Sequence, residues 1–442
     1  MKTPICDFVK AYAKSNVIKL HMPGHKGRGV LGFEGLDITE IDGADSLYEA
    51  SGIIAESERN ASAIFGCDTY YSTEGSSQCI RAMMYLVSLV AKGRGEKPYV
   101  LAGRNAHKTF HSAVALLDMD VDWIYPDESD NYLSCKVDAK KLQKILENSE
   151  RKPTLVYLTS PDYLGNVIDI ASISKICHEN GVLLAVDNAH GAYLKFLSSS
   201  LHPIDLGADI CCDSAHKTLP VLTGGAYLHL SSSFASEVGD CVKNALVLFG
   251  STSPSYLILQ SLDAANDYLE NYPKRLQTFI SNVESLKDRL IEGGYELYGN
   301  EALKITLQTK KYGYLGYDFA KILNEKGIVC EFCDPDFVVL MLTPEIENLC
   351  EVEEILLSIE KRESINLFAP NFKRLERAIS IREAVLSPSE CVDVQKSLGR
   401  VVAMASVGCP PAVPVAVAGE IVDENALECF RYYGIEKINV IK

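Results

Sequence analysis

The sequence has no hydrophobic run long enough to cross a membrane: its longest apolar stretches fall well short of the roughly 20 residues a spanning helix needs. Its opening, M-K-T-P-I-C-D-F-V-K-A-Y-A-K, has no continuous apolar core and reads as an amphipathic helix rather than a secretory leader, so the expected compartment is the cytoplasm. Positive charge is also in short supply. Against 59 Asp and Glu stand 43 Lys and Arg, a formal net charge of -16, which argues against nucleic acid as a partner and mildly favours a cationic substrate. Metal patterns are missing too. The one C-x-x-C, Cys330 to Cys333, has no second pair to complete a structural zinc site, and no Glu turns His107 and His111 into H-E-x-x-H. Pro23 and Gly24 break any helix between His21 and His25, so no metal is expected there either. The glycines of G-H-K-G-R-G (24–29) follow no strand and fit neither dinucleotide nor P-loop spacing. The 14 cysteines are scattered, several within apolar strands, and read as core thiols rather than disulfides. There is no low-complexity tract and no internal repeat.

What is present is a globular composition of 442 residues, 47% apolar and 23% charged, enough for a large core and a second, smaller domain. Between about residues 60 and 230 short apolar runs alternate with helical patterns. The expected strands are 99–103, 121–125, 154–159, 182–187 and 208–213, and a helix over 171–180 ends at Gly181. Continuous apolar strands separated by helices predict an α/β domain with a mainly parallel sheet covered on both faces. Ligands in such sheets bind beyond the carboxyl ends of the strands. A long amphipathic helix over about 273–293 leads to a smaller α+β domain, which gives expected boundaries of 51–292 for the large domain and 293–442 for the small one, after an N-terminal segment 1–50.

The chemistry concentrates at those strand ends. In D-S-A-H-K-T-L-P-V-L-T-G-G-A-Y-L (213–228), Lys217 follows an apolar strand and precedes Leu-Pro-Val-Leu and a Gly-Gly pair. A lysine inside structure must lower its pKa or pair, and condensation with an aldehyde removes the problem. Asp187 closes the strand V-L-L-A-V-D, where it either caps the next turn or serves as counter-ion to a protonated pyridine nitrogen. Gly75-Ser76-Ser77 precede Ile80, Met83, Met84, Val87 and Val90, a helix whose N-terminus would suit a phosphate. His107, after the strand ending at Gly103, could lie on a cofactor ring or donate a proton. An amine, a strand-end acid and a phosphate cradle are the parts that hold pyridoxal 5'-phosphate as a Schiff base.

With those residues in place the chain resembles the Orn/Lys/Arg decarboxylases of the aspartate aminotransferase fold, pyridoxal-phosphate enzymes of fold type I. The likeness runs through H-M-P-G-H-K-G (21–27), D-I-T-E-I-D-G-A-D-S-L (37–47), G-S-S (75–77), R-N-A-H-K-T (104–109) and S-P-D-Y-L-G (160–165). It continues in V-D-N-A-H-G-A (186–192), S-A-H-K-T-L-P (214–220), T-S-P-S-Y-L (252–257) and G-R-V-V-A through A-G-E (399–420). The Lys217 segment and T-S-P-S-Y-L are its most specific parts. The resemblance implies that Lys217 carries the cofactor, that Asp187 pairs with its ring nitrogen and that His107 stacks on it. It further implies that Ser76, Ser77, Ser214 and His216 hold the phosphate, with Gly75 and His190 close by. Two active sites at a homodimer interface are implied, with residues 1–50 packing there and Thr252 reaching the neighbour's phosphate. Glu331, matching a family glutamate in G-I-x-x-E, either faces a basic substrate side chain or is an exposed strand charge.

The sequence also departs from the family. Asn188 stands where D-E-A-H has glutamate, Asp162 where S-P-T-Y has threonine, and C-P-P-A-V-P (409–414) and A-G-E (418–420) where Y-P-P-G-I-P and P-G-E are usual. The receiver-like domain of the large inducible members has no counterpart in the sequence, so their decameric assembly is not implied. The expected activity is decarboxylation of lysine, ornithine or arginine to a polyamine precursor and CO2. An aminotransferase or lyase on the same scaffold is the nearest alternative, and a cofactor-binding protein without turnover is a third.

Overall fold

The computed structural model describes residues 1–127, 131–404 and 413–442. The segment C-P-P-A-V-P therefore lies mostly outside the described residues. Seven strands carry the central architecture: β1 (Asp68–Ser72), β2 (Tyr99–Gly103), β3 (Asp120–Ile124), β4 (Leu155–Thr159), β5 (Leu183–Asp187), β6 (Ile210–Asp213) and β7 (Ala226–Leu230). The fold is mixed α/β with mainly parallel strands. The chain divides into two compact units, Met1–Glu96 with Leu183–Arg275 and Lys97–Val182 with Leu276–Lys442.

In the first unit the strand order is β1-β7-β6-β5. β5 and β6 are parallel, with Asp187 opposite Cys212, whereas β7 runs antiparallel to both β6 and β1. The antiparallel step follows from the chain returning directly through the Gly224-Gly225 turn, with no long crossover helix between β6 and β7. The helix Gly75–Gly93 buries Ile80, Met83, Met84, Val87 and Val90, the stripe its sequence predicts. The N-terminal helix Pro4–Ala13 begins with Pro in its first turn, where no intrahelical N–H is lost, and buries Ile5, Cys6 and Val9. Aromatic rings fill the space between strands and helices: Phe65 lies 5.1 Å from Tyr227 and 4.5 Å from His229.

In the second unit the order is β4-β2-β3, all parallel. An antiparallel sheet of four short strands, Phe332–Cys333, Phe337–Met341, Lys304–Gln308 and Leu297–Tyr298, follows later in the chain, together with a two-stranded ribbon, Ser389–Asp393 with Lys437–Ile441. Two buried ion pairs brace this unit. Arg104 Nη2 meets Glu420 Oε2 at 3.0 Å, and Lys304 Nζ meets Glu301 Oε2 at 2.9 Å. Arg104 also donates to the carbonyls of Pro414 and Val415.

Candidate active site

The parallel pair β5 and β6 delivers two carboxylates at one edge, and the alternation of a strand sends them to opposite faces. Asp187 shares a face with Cys212, whose Sγ lies 3.8 Å from Asp187 Oδ1. Asp187 is buried, and Oδ1 also accepts the Ala189 N–H at 3.2 Å. After β6, Ser214 leads into one helical turn, Ala215–Thr218, that carries His216 and Lys217. The Lys217 N–H donates to Ser214 O at 2.9 Å. Its side chain, half-buried, runs to the turn after β5, where Nζ lies 3.0 Å from His190 Nε2. Lys217, Asp187 and His190 are thus assembled from two neighbouring strand ends.

A second cluster sits at the start of the helix Gly75–Gly93. Glu74, at its N-cap, makes no side-chain cap, and its carboxylate is instead taken by the Ser251 N–H. The Gly75 N–H donates to Gly224 O at 2.7 Å. Gly224 has φ +98, and a Cβ there would stand 2.9 Å from Thr73 O, so only glycine permits this closeness. Ser214 Oγ donates to Ser76 Oγ at 2.8 Å, bringing the end of β6 against the helix start. His216 Nδ1 donates to Gly225 O at 3.0 Å. Gly75, Ser76, Ser77, Ser214 and His216 are therefore neighbours through this turn. Thr252 lies exposed next to Ser251.

The remaining expected residues belong to the second unit. His107 is the N-cap of the helix Lys108–Leu116, with Nδ1 3.2 Å from the Thr109 N–H and 2.9 Å from Thr109 Oγ1. His111 is buried, its imidazole pushed down to about 3 by burial and then by Arg104, and its Nε2 faces Ala106 O. Glu331 Oε1 accepts the Tyr163 hydroxyl at 2.7 Å, so the carboxylate is oriented rather than a loose strand charge. Asp162 closes its own turn: Oδ1 accepts the N–H groups of Leu164 and Asn166, Oδ2 accepts Asn166 Nδ2, and burial raises its carboxyl. Five arginines late in the chain are engaged within this unit, Arg374 over the Tyr125 ring. Arg377 reaches Val121 O, Arg382 the carbonyls of Ala115 and Leu116, Arg400 meets Glu390 and Arg431 meets Gln395.

Sequence reading passed over one group. Asp213, buried on the opposite face of β6 from Cys212, accepts from Asn188 Nδ2 at 2.6 Å and from His202 Nε2 and His229 Nε2 at 3.2 Å each. The signal was the second acid of the pair Asp187/Asp213, each ending an apolar strand. Its histidine partners come from a loop and from β7, and nothing in their spacing announces them.

Comparison with known proteins follows the same line. The sequence model of a family described as "Orn/Lys/Arg decarboxylase, major domain" matches residues 3–297. An arginine decarboxylase of Halalkalibacterium halodurans is 30% identical over 471 residues, covering 97% of this chain and 93% of that protein. An arginine decarboxylase of Bacillus subtilis is 29% identical, covering 96% and 92%. Among solved structures, the lysine decarboxylase of Francisella novicida superposes with a TM-score of 0.80 at 16% identity, over 100% of this chain and 81% of that one.

Proposed function

The chain belongs to the Orn/Lys/Arg decarboxylase family, and from that premise we propose that it uses pyridoxal 5'-phosphate to remove the α-carboxylate of a basic amino acid, releasing CO2 and an amine of the polyamine precursor class. One observation carries the reading: the Lys217 amine stands beside His190 at the end of the strand pair that holds Asp187, one turn from a hydroxyl-rich helix start. The residues fit the cofactor. A helix of 19 residues turns the positive end of its dipole to this point, and the Ser76 and Ser214 hydroxyls converge there. A half-buried amine and a buried carboxylate lie on neighbouring strand ends.

Lys217 would carry the cofactor on Nζ, and Ser76, Ser77, Ser214 and His216 would hold its phosphate. The Asp187 carboxylate would keep a proton on the ring nitrogen. Bound there, the cofactor supplies an electron sink for the pair left behind as CO2 departs. The Lys217 amine would hold the proton that the α carbon needs, with His190 Nε2 in hydrogen-bond reach as its exchange partner. By the family resemblance His107 would be the ring neighbour or a second proton donor, and Thr252 would lie on the loop that reaches a neighbouring subunit's phosphate. Glu331, fixed by Tyr163, is suited to face an ammonium or guanidinium.

The names of the relatives make arginine the first substrate to test, with lysine and ornithine beside it. Mass spectrometry of the cofactor-loaded protein with each amino acid, with and without an oxoacid acceptor, decides. Agmatine, cadaverine or putrescine formed without acceptor supports the proposal; products formed only with acceptor would replace it with transamination.

We further propose a cytoplasmic homodimer. Between residues 17 and 31 the chain presents Ile18, Leu20, Met22, Val30 and Leu31 at 66% exposure or more, an apolar surface suited to a second copy. Sedimentation should give twice the monomer mass, and a monomer with full turnover would remove this part of the reading.

A further inference from the structure

Asp213 lies outside the set of residues that would touch the cofactor, yet its contacts reach both turns of the candidate site. It is the last residue of β6, directly before Ser214, and three residues further comes the one-turn helix position of Lys217. Its Oδ1 takes Asn188 Nδ2 at 2.6 Å, and Asn188 follows Asp187. Its Oδ2 lies between His202 Nε2 and His229 Nε2, 3.2 Å from each, and all three side chains are wholly buried. His229 Nδ1 in turn meets Thr69 Oγ1 at 3.0 Å, so this partner of the carboxylate is held from behind.

The turn after β5 depends on the same asparagine. The Asn188 N–H donates to Cys212 O at 3.0 Å, and the Gly191 N–H donates to Asn188 O at 2.7 Å. A Cβ at Gly191 would stand 2.0 Å from Asn188 Oδ1, so the amide occupies the space that a side chain there would need. Between Asn188 and Gly191 sits His190, whose Nε2 is 3.0 Å from Lys217 Nζ. An asparagine donates to a carboxylate where the glutamate usual in the related motif would repel it.

We propose that Asp213 is a positioning residue that acts through Asn188: it clamps the Asp187–His190 turn to the end of β6 and so sets the placement of Asp187 and His190 relative to Lys217. A metal reading of the same atoms fits less well. His202 Nε2, Cys211 Sγ and Asp213 Oδ2 lie within 4.8 Å of one another, but three N–H donors already complete the carboxylate. Burial opposes ionisation of Asp213, and the two imidazoles outweigh it, so the carboxyl stays well below its ordinary range.

The inference rests on the assignment of Lys217 as the cofactor lysine, and its test separates the two. The cofactor-loaded full chain and its variants Asn188→Ala, Asp213→Asn and the double variant are compared by circular dichroism for folding, by the absorbance band of the lysine-linked cofactor as pH is varied, and by cofactor release. Each single variant should weaken cofactor binding about tenfold or more and move the midpoint of the absorbance titration by about half a pH unit or more. The double variant should go no further than the worse single one, because the two residues act as a unit. Folded variants with an unmoved titration and unchanged cofactor release would overturn the proposal, as would additive effects or a stoichiometric metal in the purified protein. If Asp213→Asn does not fold, Asn188→Ala decides alone, since it cuts the link while leaving Asp213 and its imidazole partners in place. Loss of the band in no variant, with Lys217→Ala also keeping it, would overturn instead the assignment of Lys217.

Discussion

At the scale of single residues the site is an arrangement of proton affinities. The Lys217 amine is half-buried with an imidazole nitrogen at 3.0 Å, a neighbour that can share a proton without adding a fixed charge. Asp187 is 2% exposed and is held by the Ala189 N–H, which fixes its carboxylate where a cationic ring nitrogen would neutralise it. Lys217→Ala should lower amine formation at least about a thousandfold and remove the visible absorbance of the reconstituted protein. Rescue of turnover by added methylamine would show that the missing group is the amine itself. A variant with normal turnover would sink the assignment.

At the scale of elements, the proposed cofactor binding rests on one helix start. The Gly75–Gly93 helix has no side-chain cap at Glu74, and the Ser76 hydroxyl meets that of Ser214 at its start. Ser76→Ala should therefore weaken cofactor binding about tenfold in a fluorescence titration while changing the urea midpoint of the apo protein little. An equal loss in both would make Ser76 a structural residue. These elements were largely legible in the sequence. The strands expected at 99–103 and 121–125 appear at 99–103 and 120–124, and the helix expected over 273–293 appears over 272–292, because continuous apolar runs and a 3.6-residue stripe leave little choice. β1 went unread because D-T-Y-Y-S is short and polar at both ends. The candidate lysine, acid and serines were legible as strand-end and helix-start residues. The Asp213 partners were not: they depend on β7 placing His229 opposite Cys211, a register that local patterns do not encode.

At the scale of the whole molecule, stability and pH are coupled through buried carboxyls. Asp334, buried in the second unit, has its carboxyl raised from 3.8 to about 7, first by burial and then by the nearby charge of Asp336. Asp336 itself is paired with Lys310 at 2.7 Å, so one cation serves two acids. The unfolded chain releases the Asp334 proton near pH 4, whereas the folded chain keeps it to about pH 7. In that window the folded state binds more protons, so stability falls as pH rises, by up to about 1.4 kcal/mol per pH unit, and levels off above it. Asp213 has the opposite sign: its lowered carboxyl contributes stability above the unfolded value that is lost only in acid. Asp334→Asn keeps an oxygen for the Asp336 and Phe337 N–H groups, which Oδ1 now accepts at 2.8 and 2.7 Å, and cannot ionise. Urea unfolding at pH 5, 6, 7 and 8 should then show the variant gaining on the wild type up to about pH 7, with the gap constant beyond. Parallel curves across that range would mean that Asp334 ionises normally, and that the buried pair shares its charge with Lys310 alone.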